Sequence, residues 1–210
     1  MLKLKIIYKE EFDIRRVINT IKKIDWYTEN KYNYKNFSFP KILDKDKLKT
    51  YSDEEIKNAV TVEYFDDLYK ENEIFLLDSW KKVAKEIELA FSKSGLLCQD
   101  EYRVFLTKYG QGGSYDLPNT IIINLKNSFK DRMLRDIIHE IIHLAIQKYI
   151  DEYKIGQGQT ERIVDLFFIK NFPRRVYVRD SYMSMDIEKL DQIFDENFPD
   201  IKAVIEKVSE

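Results

Sequence analysis

The sequence predicts an α+β fold: a mainly helical N-terminal region, residues 1–95, followed over residues 96–210 by a small mixed sheet and a pair of helices. Three features carry that expectation. Glycine and proline are scarce, six and four in 210 residues, in a chain that is 44% apolar and 34% charged, the composition of an ordered, helix-rich protein. Two short apolar runs flank a glycine-rich turn between residues 102 and 125. Apolar residues at helical spacing then run from Lys130 to Ile150.

Taken in order, Leu2 to Tyr8 reads as a short strand, and Phe12, Ile14, Val17, Ile18 and Ile21 fall at helical spacing behind it. From Asp25 to Thr50 periodicity fails in a run rich in Lys, Tyr, Asn and Phe and interrupted by Pro40, so a long surface-packed loop is expected. Ser52-Asp-Glu-Glu55 is a capping-box pattern that opens a helical stretch reaching Ser94-Gly95. Its length calls for a break, expected near Lys70 to Asn72. Tyr102 to Lys108 and Thr120 to Leu125 read as strands joined by the turn-rich Tyr109-Gly-Gln-Gly-Gly-Ser-Tyr115. After the Lys130 to Ile150 helix, Asp151 to Gln159 reads as a loop containing Gly156 and Gly158, and a second helix covers Thr160 to Asn171. Pro173 ends it. A strand at Val176 to Val178 and helices at Asp186 to Phe194 and Ile201 to Val208 complete the reading.

Charge and composition exclude some functions. Thirty-five Lys and Arg against thirty-seven Asp and Glu leave a formal charge of -2, so no global field recruits nucleic acid or an anionic membrane. Acidic residues near the N-terminus stop an apolar leader from forming, and no segment reaches membrane-spanning length. The single cysteine, Cys98, cannot close an internal disulfide. A cytoplasmic protein is expected. The Lys and aromatic content of Lys22 to Tyr51 is broken by Asp25, Glu29, Asp44 and Asp46, which argues against a single-strand nucleic-acid surface. Gly110-Gln-Gly-Gly113 lacks the Lys-Ser/Thr ending of a phosphate loop and enters a strand, so it reads as a turn.

The chemistry lies in His139-Glu140-Ile141-Ile142-His143, inside the strongest predicted helix and using both histidines of the chain. Residues four apart share a helix face, so both imidazoles can reach one metal. Zinc accepts neutral imidazole nitrogen, and a catalytic site takes three protein ligands and leaves a fourth position for water. Glu140, one position after the first ligand, can approach that water without closing the shell. The metzincin extension fails, because Ile146 and Tyr149 stand where its glycine and third histidine would be. Downstream, Thr160-Glu161-Arg162-Ile163-Val164-Asp165 offers two carboxylates four apart on the next helix, and an antiparallel return would let Glu161 face the metal.

This pattern, HExxH followed by a helix carrying ExxxD, resembles the gluzincin zinc metallopeptidases, and the compression of the whole unit into residues 102–171 is similar to the minimal gluzincins, or minigluzincins. The resemblance implies a zincin-like catalytic module in which His139, His143 and Glu161 hold Zn2+ and Asp165 accepts a hydrogen bond from a ligand imidazole. It implies hydrolysis of peptide bonds by attack of a zinc-bound water, with Glu140 as general base. It also implies that the strand before the active-site helix, Thr120, Ile121, Ile122, Ile123 and Asn124, borders the cleft and pairs with extended substrate. The expected partner is a peptide or protein substrate, with self-association as a further family trait. The oxyanion donor stays open among Tyr149, Tyr153, Tyr177, Arg174 and Arg175. Residues 2–94 match no family pattern. The alternative reading is a zinc-binding protein-interaction module whose peptidase activity is lost or self-inhibited.

Overall fold

The N-terminal strand of this chain pairs with a strand almost one hundred residues later, and the rest of the architecture is organised around that sheet. A computed structural model describes residues 2–29, 32–125, 130–173 and 187–210. The described residues carry β1 (Lys3–Ile7), α1 (Glu10–Lys22), α2 (Ile24–Glu29), α3 (Asp53–Glu63), α4 (Asp66–Lys93), β2 (Glu101–Thr107), β3 (Gly113–Asp116), β4 (Thr120–Asn124), α5 (Lys130–Tyr153), α6 (Gln157–Asn171), α7 (Ile187–Asn197) and α8 (Ile201–Val208). The fold is therefore α+β and mostly helical. Among these residues no helix is long and apolar enough to cross a membrane. The strand expected at Val176 to Val178 lies outside the described residues.

The sheet order is β1-β2-β4-β3, with β1 and β4 parallel to β2 and β3 antiparallel to β4. Alternation sorts the two faces. Tyr102, Val104, Leu106, Ile121 and Ile123 are buried in the main core with α4 and α5, whereas Arg103, Phe105, Thr120 and Ile122 face the opposite side, where Phe12 of α1 stacks on Phe105 at 4.6 Å. The expected division at residue 95 does not separate two cores, because β1 belongs to the sheet and α4 shares the main core with α5. A second, smaller core gathers α1, α2 and α3 around Phe37, Phe39, Leu43, Leu48 and Tyr109. The stretch from Asp25 to Thr50 is thus no surface-packed loop: it opens with α2, includes two single 3-10 turns, and inserts aromatic and leucine side chains singly into that core. Helical or strand periodicity cannot register side chains used this way.

Asp13 ties the two cores together. Fully buried on α1, it accepts a hydrogen bond from Tyr69 of α4 and meets Thr107 and Lys108 at the end of β2, while burial pushes its carboxyl above the ordinary range. The helical stretch after Ser52 begins as expected, with Glu55 N–H donating to Ser52 Oγ at 3.3 Å and Ser52 N–H donating back to Glu55 Oε2 at 2.7 Å. Its break falls at Tyr64 and Phe65, not at Lys70 to Asn72. Tyr64 adopts extended backbone and stacks on Tyr69, which also stacks on Tyr8, so an aromatic column sets the corner. Asp66 and Asp67 then restart the helix at its positive end.

Candidate metal centre

Helix α5 is buried along most of its length by Met133, Leu134, Ile137, Ile138, Ile141, Ile142 and Ile146, which fixes its rotation and leaves His139 and His143 on one face. The turn into α6 is shorter than the sequence implies. Only residues 154–156 separate the helices: Lys154 takes a left-handed conformation at φ 53°, Ile155 N–H donates to Ile150 O at 3.1 Å, and both isoleucines are buried. Gly156 then precedes α6, where Gln159 Oε1 accepts from its N–H. The tight turn makes α6 antiparallel to α5, so the earlier histidine meets the later acid.

The contacts follow that order. His139 Nε2 lies 3.1 Å from His143 Nε2 and 3.4 Å from Glu161 Oε2, and His143 Nε2 lies 3.5 Å from Glu161 Oε1. Asp165 Oδ1 stands 3.4 Å from the other ring nitrogen of His139, Nδ1. The ligand atoms of His139, His143 and Glu161 all lie within 4.8 Å of one another and could hold a metal ion. Their spacing fits a small cation: four ligands at about 2.0–2.1 Å in a tetrahedron stand roughly 3.3 Å apart. At 3.1 Å the two Nε2 atoms can share a hydrogen when one ring is the Nε2–H tautomer, or turn both lone pairs toward one cation. Burial alone would raise the Glu161 carboxyl, but its contacts with His139 and His143 outweigh that together and hold it well below the ordinary range. Cys98, the remaining soft ligand of the chain, is not in the cluster.

Glu140 is buried on the cleft wall but is not one of the clustered ligands. A Cβ on Gly113 would collide with Glu140 Oε1 and stand 3.2 Å from Cδ, so the absence of a side chain at residue 113 makes room for this carboxylate. Gly112, its neighbour, has no atom within 4 Å of such a Cβ. Gly113 belongs to β3, a strand hidden in what reads as a plain turn. The signal that could have exposed it is Leu117-Pro-Asn119, a turn sequence joining β3 to the apolar run of β4.

The strand assigned to substrate has to be corrected. Thr120, Ile121, Ile122, Ile123 and Asn124 form β4, which pairs with β2 on one side and β3 on the other and has no open edge. Among the described residues the edge on this side of the sheet belongs to β3, and β1 forms the other. Asn124 N–H donates to Gly112 O at 2.7 Å, and alternation from that pair directs the main-chain groups of Gly113 and Tyr115 away from β4.

Tyr115 is the other residue that sequence reasoning missed. Its ring stacks on His143 at 5.1 Å and its hydroxyl donates to Gln147 Oε1 at 2.6 Å. Burial, then the charges of Glu140, Glu161 and Asp151, push the phenol up to about 12, so it stays protonated at neutral pH. Of the oxyanion candidates, Tyr149 and Tyr153 pack against the main core and do not line the cleft, and Arg174, Arg175 and Tyr177 lie outside the described residues. Arg162 is engaged elsewhere: its Nε donates to Asp191 Oδ1 of α7 at 2.8 Å.

These groups line a cleft of about 660 Å³ whose opposite wall comes from the N-terminal region, through Trp26 of α2 and Tyr32. Gln157 Nε2 at the start of α6 donates to Tyr32 Oη, joining the two walls. Comparison with protein-family models, with curated proteins and with solved structures returns no match to this chain.

Proposed function

We propose that this chain is a zinc-dependent metallopeptidase of the gluzincin type, in which His139, His143 and Glu161 hold the metal and Glu140 handles the proton. The observation that carries this reading is the ligand triangle of 3.1, 3.4 and 3.5 Å with Glu140 beside it on the cleft wall and outside the ligand set. Two imidazoles and one carboxylate favour zinc over calcium or magnesium, which take oxygen ligands, and three protein ligands match a site with one position open. When bound, zinc supplies a Lewis acid that acidifies water and polarises a carbonyl.

The protein groups do the rest. Asp165 facing Nδ1 of His139 keeps the proton on that nitrogen and leaves the Nε2 lone pair for the metal. Glu140 takes a proton from the attacking water and returns it to the departing amine, a role that needs a carboxylate with room to move, which Gly113 provides. The outward main-chain groups of Gly113 and Tyr115 offer an extended peptide a strand to pair with, along the wall opposite His143. Tyr115, stacked on His143, holds its hydroxyl on Gln147 next to the ligands and would have to leave that partner to serve as an oxyanion donor.

The Tyr32 to Gln157 bridge between the cleft walls favours a second reading, a metal-binding module whose cleft the N-terminal region keeps closed. Zinc stoichiometry and cleavage of an unstructured polypeptide, measured on wild type and Glu140→Gln with a chelator control, separate the two. Zinc should be equal in both proteins, and chelator-sensitive turnover should fall by about 10² to 10⁴-fold in the variant. Equal cleavage by both removes Glu140 as the base. Zinc binding with no chelator-sensitive cleavage by either favours the closed module.

A further inference from the structure

A second cavity, about 870 Å³, opens on the α1 side of the sheet and shares Trp26, Tyr32, Gln111, Ser114 and Tyr115 with the metal cleft, so the two adjoin across the β3 strand. Among the described residues their charges are opposite. There the metal cleft is lined by Asp136, Glu140, Asp151 and Glu161 against one cation, Arg132. The second cavity is lined there by Arg15, Arg16, Lys22, Lys23 and Arg103 against one acid, Asp116. In a chain of net charge -2 this is a local concentration of positive charge beside the metal cleft.

Arg16 marks the junction. Its Nη2 donates to Ser114 Oγ on the edge strand at 3.3 Å, its Nε is buried without a hydrogen-bond partner, and Asp116 is near enough to act on its charge without making a hydrogen bond to it. A guanidinium half withdrawn from water with donors left over is stabilised by an incoming anion, and a carboxylate matches its planar fork. Arg103, exposed and lying over the Phe105 ring at 5.4 Å, extends the same surface along β2.

Strand geometry links this surface to the edge of β3. Gly113 and Tyr115 turn toward α5, and Ser114 and Asp116 turn toward α1. A peptide added to that edge alternates in the same way, so every second side chain enters the basic cavity while the others face the metal cleft. We propose that the cavity on the α1 side is a subsite for carboxylates of an extended peptide, selecting polypeptides with acidic residues at alternate positions beside the segment held at the metal cleft. The inference deepens the peptidase reading and rests on it for what the neighbouring cleft does. A nucleic-acid strand would also meet positive charge here, but it would have to pass the four acids of the metal cleft and could not use the strand edge.

The test is peptide binding to the full chain carrying Glu140→Gln, with zinc content measured on the same preparation. The labelled probes are a capped Ala-Glu repeat, a capped Ala-Gln repeat, an Ala-Gln repeat with a free C-terminal carboxylate, and a single-stranded oligonucleotide. A carboxylate probe should bind about tenfold or more tightly than the capped Ala-Gln repeat, as expected for one hydrogen bond to a charged group. Preference for the capped Ala-Glu repeat identifies side chains as the source, and preference for the free C-terminus identifies the chain end. The advantage should largely disappear at about 1 M salt, where the screening length falls to about 3 Å. The exposed pair Arg15→Gln and Arg103→Gln should reduce it several-fold, independently of whether Arg16→Gln folds. Equal binding of all the peptides, or tighter binding of the oligonucleotide, overturns the proposal. Selective carboxylate binding by a protein without zinc leaves the subsite standing and removes the metal reading; zinc without that selectivity does the reverse.

Discussion

The α5–α6 wall of the cleft carries the three side chains that could hold a metal ion on two consecutive helices joined by residues 154–156, whereas the facing wall is assembled from Trp26, Tyr32 and the β3 edge, which come from distant parts of the chain. On the first wall, spacing along the sequence becomes position in space: His139 and His143 share a face through the i,i+4 relation, and the turn brings Glu161 and Asp165 against them. On the second wall no local rule connects the parts. Trp26 and Tyr32 reach the cleft only because α1, α2 and α3 form their own core, anchored to the rest through Asp13 and Tyr69. Chemistry concentrated on adjacent helices is local, and the shape of the space around it is not.

If that contrast is right, changes near the ligands should alter metal or turnover, and changes in the N-terminal anchor should alter stability alone. The largest effect is expected where the two walls touch. Gly113→Ala pushes a methyl group into Glu140 Oε1, and a displacement of about 1 Å in a catalytic group costs on the order of 10²-fold in turnover. Zinc content should be unchanged, and Gly112→Ala, which meets nothing within 4 Å, should behave as wild type in steady-state cleavage assays. Loss of zinc in Gly113→Ala would mean that β3 supports the ligands and not the base.

A somewhat smaller effect is expected from Asp165→Asn. Removing the carboxylate that faces His139 Nδ1 should weaken zinc affinity by about 10 to 100-fold while leaving the unfolding midpoint of the metal-free protein in place. Competition with a coloured chelator measures it, and an unchanged affinity would reduce Asp165 to a surface partner of α5.

The smallest effect belongs to the other wall. The Asp13 carboxyl is raised by burial, so the folded state holds its proton more tightly than the unfolded chain does. Its contribution is therefore fully present below the ordinary carboxyl pKa and is lost as pH rises through the raised value. Denaturant unfolding of wild type and Asp13→Asn across the acid range should show the difference between them shifting in that direction and levelling off above it. Zinc stoichiometry should be the same in both, and a loss of zinc in Asp13→Asn would break the separation of the two walls.

Much of this fold was legible in the sequence, for reasons specific to each element. β1, α1, β2, β4, α5, α6 and α8 have strong periodicity or clear punctuation, and each was expected within a few residues of its observed bounds. The corner at Tyr64 was misplaced because a column of Tyr8, Tyr69 and Tyr64 sets it, and stacking across distant segments leaves no local pattern. At the site, spacing puts His139 and His143 on one face and lets Glu161 face them, and the resemblance singles Glu161 out, but nothing in the sequence marks Gly113 and Tyr115. Their importance depends on β3 being the edge strand, and edge position belongs to sheet order, which residues 109–119 do not encode on their own. The same ignorance of sheet order placed the substrate on β4, a strand hydrogen-bonded on both sides.

In the proposed site two imidazoles on α5 and one carboxylate on α6 make a single metal centre. Metal analysis of untagged protein tests it most directly, comparing wild type with Glu161→Ala and with Asp151→Ala, an acid that lines the same cleft but stands outside the ligand cluster. Wild type and Asp151→Ala should each bind one zinc per chain, and Glu161→Ala should lose it while remaining folded by circular dichroism. Zinc retained at full stoichiometry in a folded Glu161→Ala protein would mean that Glu161 is not a ligand and that the three side chains do not form one metal centre.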